Sequence, residues 1–151
     1  MNKKTKSLYD AISYSNTENV RRALSVRTVD VNARAWNTGY TPLIWAVQFN
    51  RLDVIKLLLE HGADADLCDA QGYTPLHWAC RYADNRTAIA LFLLEAGADA
   101  GSRRHDGKTL LEAACELHEG NKARERIIDW YREHRPDLFL ESYCTLAPGG
   151  M

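Results

Sequence analysis

Two stretches of the chain are dense in apolar residues: Val54, Ile55, Leu57, Leu58 and Leu59 in one, Ile89, Leu91, Phe92, Leu93 and Leu94 in the other. Their spacings predict helices with wide apolar faces, which one helix pair cannot bury alone. Gly62 and Gly97 follow as C-terminal stops. Ahead of each stretch lies a second predicted helix that starts at Thr-Pro-Leu. The Thr hydroxyl caps it, and Pro at its first position wastes no donor. Gly39, Gly72 and Gly107 lie two residues before these threonines, or before Thr109, where a tight turn calls for positive φ. At the ends, polar residues mix into the pattern. Asp10, Ser13, Asn16, Arg21 and Arg22 interrupt the helix pair predicted around Leu8 to Ser15 and Glu18 to Ser25. The last helix, KARERIIDWYREHR, turns Ile127, Ile128 and Trp130 or Tyr131 inward.

The pattern is periodic. GYTPLIWA at Gly39 to Ala46 returns as GYTPLHWA at Gly72 to Ala79, 33 residues on, and Thr109 follows Thr74 by 35. Four units result, at about 5–35, 36–68, 69–103 and 104–140. The second and third share Gly-Tyr-Thr-Pro-Leu, Trp-Ala, Leu-Leu-Glu and Gly-Ala-Asp-Ala, and the outer two degrade as caps do.

This period and the Thr-Pro-Leu-His-x-Ala signature resemble the ankyrin repeat. The resemblance implies an all-α solenoid of about four stacked helix-turn-helix units with short β-turn or hairpin loops. It is expected to form one domain over 1–141, with a C-terminal tail at 142–151. The sequence departs from the pattern in places. Unit one has Ser7-Leu8-Tyr9 in place of Thr-Pro-Leu, and unit four has Glu112 where the signature has His. Asn50-Arg51 stands where many ankyrin repeats have Gly-His, so the turn there is expected to differ. Units three and four carry insertions between their helices, in RYADNRTAI and ELHEGNKARER.

Composition bounds the function. A chain of 151 residues with 46% hydrophobic content can bury a sizeable core. A net charge of -1 gives no pull toward nucleic acid or an anionic membrane. No apolar run is long enough to span a bilayer, and the basic start of the chain lacks the apolar core of a signal peptide. The expected location is cytoplasmic. The spacing of Cys68, Cys80, Cys115 and Cys144 matches neither a zinc ribbon nor a redox pair, and free thiols suit a reducing compartment.

Candidate chemistry is sparse. His77 occupies the signature His, whose role in the family is to hydrogen-bond within and between turns. Asp30, Asp64 and Asp99 recur after each second helix, where Asp bonds local backbone amides. No nucleophile set, paired carboxylates or phosphate loop stands out, so no catalytic, cofactor or metal residue is expected. An enzyme or small-ligand site built on His77, His105 and an Asp is the alternative from another class.

What remains is surface. In ankyrin repeats, turn tips form fingers, first helices form a palm, and partners lie in the concavity between. Carried over by position, the fingers here offer Trp36, Asn37 and Tyr40, then Asp69, Gln71 and Tyr73, then Arg104, His105 and Lys108. The palm offers Trp45, Gln48 and Phe49, then Trp78, Arg81 and Tyr82, then Glu112 and Glu116. Trp, Tyr and Arg dominate binding energy at protein interfaces. Trp45 and Trp78 either pack between repeats or face the partner.

The expected function is therefore non-catalytic binding of another protein, with no nucleic acid and no membrane, by a chain that is a monomer when free. A dedicated inhibitor such as an immunity protein is one version, and a regulatory adaptor or secreted bacterial effector is another. The segment LFLESYCTLAPGGM either folds back over unit four or docks on a neighbour.

Overall fold

The computed structural model describes residues 3–14, 16–81, 86–115 and 122–146. These form nine helices and no strand. In chain order they are α1 (Lys3–Tyr14), α2 (Thr17–Leu24), α3 (Pro42–Gln48), α4 (Leu52–Glu60), α5 (Pro75–Arg81), α6 (Thr87–Glu95), α7 (Leu110–Cys115), α8 (Lys122–His134) and α9 (Pro136–Leu146). The odd-numbered helices pack on one another in sequence, α1 on α3, α3 on α5, α5 on α7 and α7 on α9. α1, α3, α5 and α7 are each backed by the next even-numbered helix, and α9 shares α8 with α7, so the array is two helical layers deep.

The threonines start helices as the sequence suggests. Thr41 Oγ1 accepts from the Ile44 amide at 3.2 Å. In unit three, Thr74 Oγ1 and His77 Nδ1 lie 2.8 Å apart. In unit four Glu112 takes over from His: its carboxylate accepts from the Thr109 amide at 2.6 Å, while Thr109 Oγ1 accepts from the Glu112 amide at 3.2 Å. This reciprocal capping box explains how the signature survives with a different residue.

Helix ends follow the same logic. Gly62 and Gly97 each close a Schellman turn, with Ala63 N–H donating to Leu58 O and Ala98 N–H to Leu93 O, both at 3.0 Å. Asn50 closes the turn after α3 in the same way, with Arg51 N–H donating to Ala46 O at 3.0 Å. Its φ of 54° is left-handed, a conformation Asn tolerates better than most residues. The residue differs from the family pattern, yet the turn geometry is that of a glycine.

Carboxamides and carboxylates tie the units together. Asp30, Asp64 and Asp99 accept from the amides two residues on, those of Asn32, Asp66 and Gly101. Asn32 and Asp66 then reach across, accepting from the amides of Asp64 and Asp99 in the next unit, both at 2.8 Å. Between the layers, Leu8, Ile12, Leu43, Ile44, Ile55, Leu58, Leu76, Ile89, Leu93, Leu110 and Leu111 are fully buried in one continuous core.

At the C-terminal end the expected border at 141/142 falls inside α9. This helix packs on α7 and α8, with Leu138 and Phe139 against the core. Arg135 is all that separates α8 from α9, and Pro136 opens α9 at a position where its missing N–H costs nothing. Parts of both insertions, 82–85 and 116–121, lie outside the described residues.

Candidate interaction surface

The three turn tips project from the first-helix layer. In finger one, Ala35 N–H donates to Tyr40 O at 2.9 Å and Gly39 N–H to Ala35 O at 2.8 Å. That closed loop holds Trp36 and Asn37 outward, Trp36 being 83% exposed. The base of the finger is clamped from unit one. The Tyr9 hydroxyl lies 2.6 Å from Tyr40 O and 2.7 Å from Ala33 O, shared between the two carbonyls. Burial pushes the Tyr9 phenol well above its usual range, so it stays a donor.

Beneath the fingers the aromatic residues form a continuous ladder. Trp45 meets Tyr9 edge-on at 5.8 Å and Phe49 at 5.6 Å. Tyr40 stands between the two indoles, 6.0 Å from Trp45 and 5.4 Å from Trp78. Tyr73 extends the series, 5.6 Å from Trp78 and 6.5 Å from His77. Both indole N–H groups are satisfied: Trp45 donates to Ser13 Oγ at 2.7 Å and Trp78 to Asp69 Oδ2 at 2.8 Å. Trp78 is buried, so of the two roles open to it, packing is the one its position serves. Trp45 is half-buried.

Cations lie over the far end of the ladder. The Arg81 guanidinium, exposed, sits 5.4 Å from the Trp78 ring centre, and that of Arg104 sits 5.6 Å from Tyr73. Arg104 also pairs with Asp106 through Nε at 3.1 Å, which holds the Asp106 carboxyl below its usual range. Gln71 and His105 are exposed, while Gln48 and Lys108 are half-buried. Asp69, expected at a finger tip, is buried at 2% exposure. Its Oδ1 accepts from the Gln71 and Tyr73 amides, both at 2.9 Å, so it works as the internal brace of finger two. Tyr82 and Glu116 lie outside the described residues.

One exposed aromatic residue escaped the sequence reading. Tyr14, 86% exposed, closes α1 in the register of Gln48 and Arg81. The signal was the repeat register itself, carried one unit further back. Among the described residues, Tyr14, Trp36 and Phe49 (44% exposed) are thus the most exposed aromatic side chains, and Phe49 lies against Trp45 of the ladder.

His77 is a buried ring in this neighbourhood. Burial first, and then the Arg104 guanidinium, push its pKa from 6.5 down to about 4. A folded-state pKa below the unfolded one means that the contribution is intact above about pH 6.5 and lost as pH falls toward about 4. The protein is expected to be about 2 kcal/mol less stable at pH 5 than at pH 7 from this residue alone. Urea unfolding at the two pH values checks it; equal stabilities would mean that the ring titrates as if in water.

Among the described residues no three His, Cys, Asp or Glu side chains gather as ligands for a metal ion, and no helix is long and apolar enough to cross a membrane.

Comparison with known proteins adds an independent line. Residues 8–104 match the family described as ankyrin repeats, in three copies. The chain is 42% identical over 65 residues to the palmitoyltransferase AKR1 of Lachancea kluyveri, covering 43% of this chain and 9% of that protein. It is 36% identical over 66 residues to an ankyrin repeat protein of Rickettsia bellii, covering 44% of this chain and 38% of the relative. It is also 39% identical over 69 residues to the 2-5A-dependent ribonuclease of Mus musculus, 46% of this chain and 9% of the enzyme. The chain thus spans a small part of each of these relatives.

Proposed function

The chain belongs to the ankyrin-repeat family, and on that premise we propose that it binds another protein through the strip from Trp36 to Lys108. Ankyrin repeats are generally protein–protein interaction modules without chemistry of their own. The observation that carries the assignment of the strip is the exposure of Trp36 and Phe49 beside a ladder whose own indoles are hydrogen-bonded and fixed. An exposed aromatic side chain held by a rigid base loses little entropy on binding, which is how hot spots gain their strength. Arg81, lying over Trp78, adds a planar cation suited to an acidic or carbonyl-rich partner surface. Free thiols at Cys68 and Cys80 suit work in a reducing, cytoplasmic setting.

The test is affinity capture from the cells that make the protein, comparing wild type with the Trp36→Ala, Phe49→Ala, Arg81→Ala triple variant. These three side chains are exposed, so helicity by circular dichroism should be unchanged. Removing three anchors worth about 2 kcal/mol each should weaken binding by at least roughly a thousandfold. A partner retained by the folded variant would sink the assignment to this strip. An inhibitor and an adaptor would use the same surface; the partner's own activity in the complex tells them apart.

A further inference from the structure

The N-terminal end of the array carries a groove of about 510 Å³ between α1 and α2. On α1 it is lined by Ser7, Asp10, Ala11 and Tyr14, a stripe rotated from the one that buries Leu8 and Ile12. Small side chains from both helices line it. Ala23 stands in the register of Leu57 and Phe92, and Ala11 lines the same groove from α1. Asp10 is exposed beside them. Alongside these small residues, Tyr14 at 86% exposure and Val26 at 37% line the same groove as projecting apolar groups.

We infer that this face docks against the same face of a second copy of the chain. A self-complementary surface must carry both halves of every contact, because a twofold axis lays each residue's partner on its own face. This one does. Ala11 and Ala23 form the hole, while Tyr14 and Val26 are the knobs that fill it. Asp10 on α1 and Arg22 on α2 have opposite charges, so laying α1 of one copy over α2 of the other brings each carboxylate to a guanidinium. Among the described residues Arg22 pairs with Glu18 of its own helix, at 3.6 Å, an exposed i,i+4 contact of small value that a more buried partner would displace. The dimer departs from the free monomer that the sequence alone suggests. It leaves both finger-and-palm strips open, so the product is a bivalent binder whose avidity exceeds that of either copy.

Sedimentation equilibrium across a concentration series tests it with four proteins: wild type, Ala23→Arg, Asp10→Arg, and the Asp10→Arg, Arg22→Asp charge swap. The expected result is a concentration-dependent dimer for wild type. Ala23→Arg fills the hole and should leave a monomer. Asp10→Arg sets like charges against each other and should raise the dimer dissociation constant at least tenfold, and the swap should recover most of that loss. Asp10 and Arg22 are exposed, so this pair decides the matter even if Ala23→Arg fails to fold. A wild type that is monomeric at every concentration overturns the proposal and leaves the groove to a helix of some other protein. A dimer indifferent to Ala23→Arg and Asp10→Arg overturns it as well, by putting the interface elsewhere.

Discussion

Gly39→Ala is expected to cost about 3 kcal/mol of stability, against about 1 kcal/mol for the same change at Gly107. Both residues have left-handed φ, 70° and 81°, so both variants carry the ordinary strain of an L-residue in that region. Only Gly39 meets a neighbour. A Cβ built there falls 2.6 Å from the Ala70 backbone nitrogen, whereas nothing lies within 4 Å of one at Gly107. Ala70 belongs to finger two, and its amide donates to Thr38 O of finger one at 3.3 Å. The methyl group therefore has to push one finger off the other, and backbone cannot give as a flexible side chain would. In a domain of this size the difference appears as a melting shift of roughly 6–12 °C for Gly39→Ala and a few degrees for Gly107→Ala. Trp36 sits three residues before Gly39 in the displaced finger, so partner binding should weaken with stability in the first variant and hold in the second. Equal melting losses at both sites would mean that the fingers have room to separate.

Much of this architecture was legible in the sequence, because a solenoid repeats its instructions. The period gave helix pairs, the threonines gave caps, and Gly62 and Gly97 gave ends that the structure reproduces. Asn50 was read as a departure, yet it takes a glycine's φ. Residue type alone does not say which residues will accept a left-handed turn when the surrounding Schellman bonds demand one. What the sequence hid is the contact between positions in different registers. Tyr9 looks like the Leu of a degenerate unit, but its hydroxyl holds finger one through carbonyls 24 and 31 residues away. At the far end, the segment after residue 141 lacks a repeat signature and reads as a tail. Pro136 begins a helix that occupies the first-helix row without a finger of its own. A helix identified by packing, with no turn or signature of its repeat, leaves little for a periodic reading to find.

Asp69 is the sharpest example of such a hidden contact, and Asp69→Ala is expected to cost about 3 kcal/mol. Read along the chain it is a charged turn residue beside Gln71 and Gly72, a natural surface position. In the fold it is 2% exposed and its two oxygens serve different neighbours. Oδ1 takes the amides of Gln71 and Tyr73, and Oδ2 takes the indole N–H of Trp78 at 2.8 Å. Alanine removes the acceptor 2.8 Å from the buried Trp78 indole N–H, and taking the acceptor from a buried donor costs more than the net worth of the bond. Asp69→Asn should fall between, since its single carbonyl oxygen serves the turn or the indole but not both. A double-mutant cycle with Trp78→Phe separates the two halves. Phenylalanine has no N–H to strand, so Asp69→Ala should cost about 1–2 kcal/mol less in that background than in wild type. Additive losses would show that the carboxylate acts only on its own turn. Coupling of the expected size would mean that a finger residue fixes the central indole of the ladder. The rigidity attributed to the binding strip would then come from the turn that presents it.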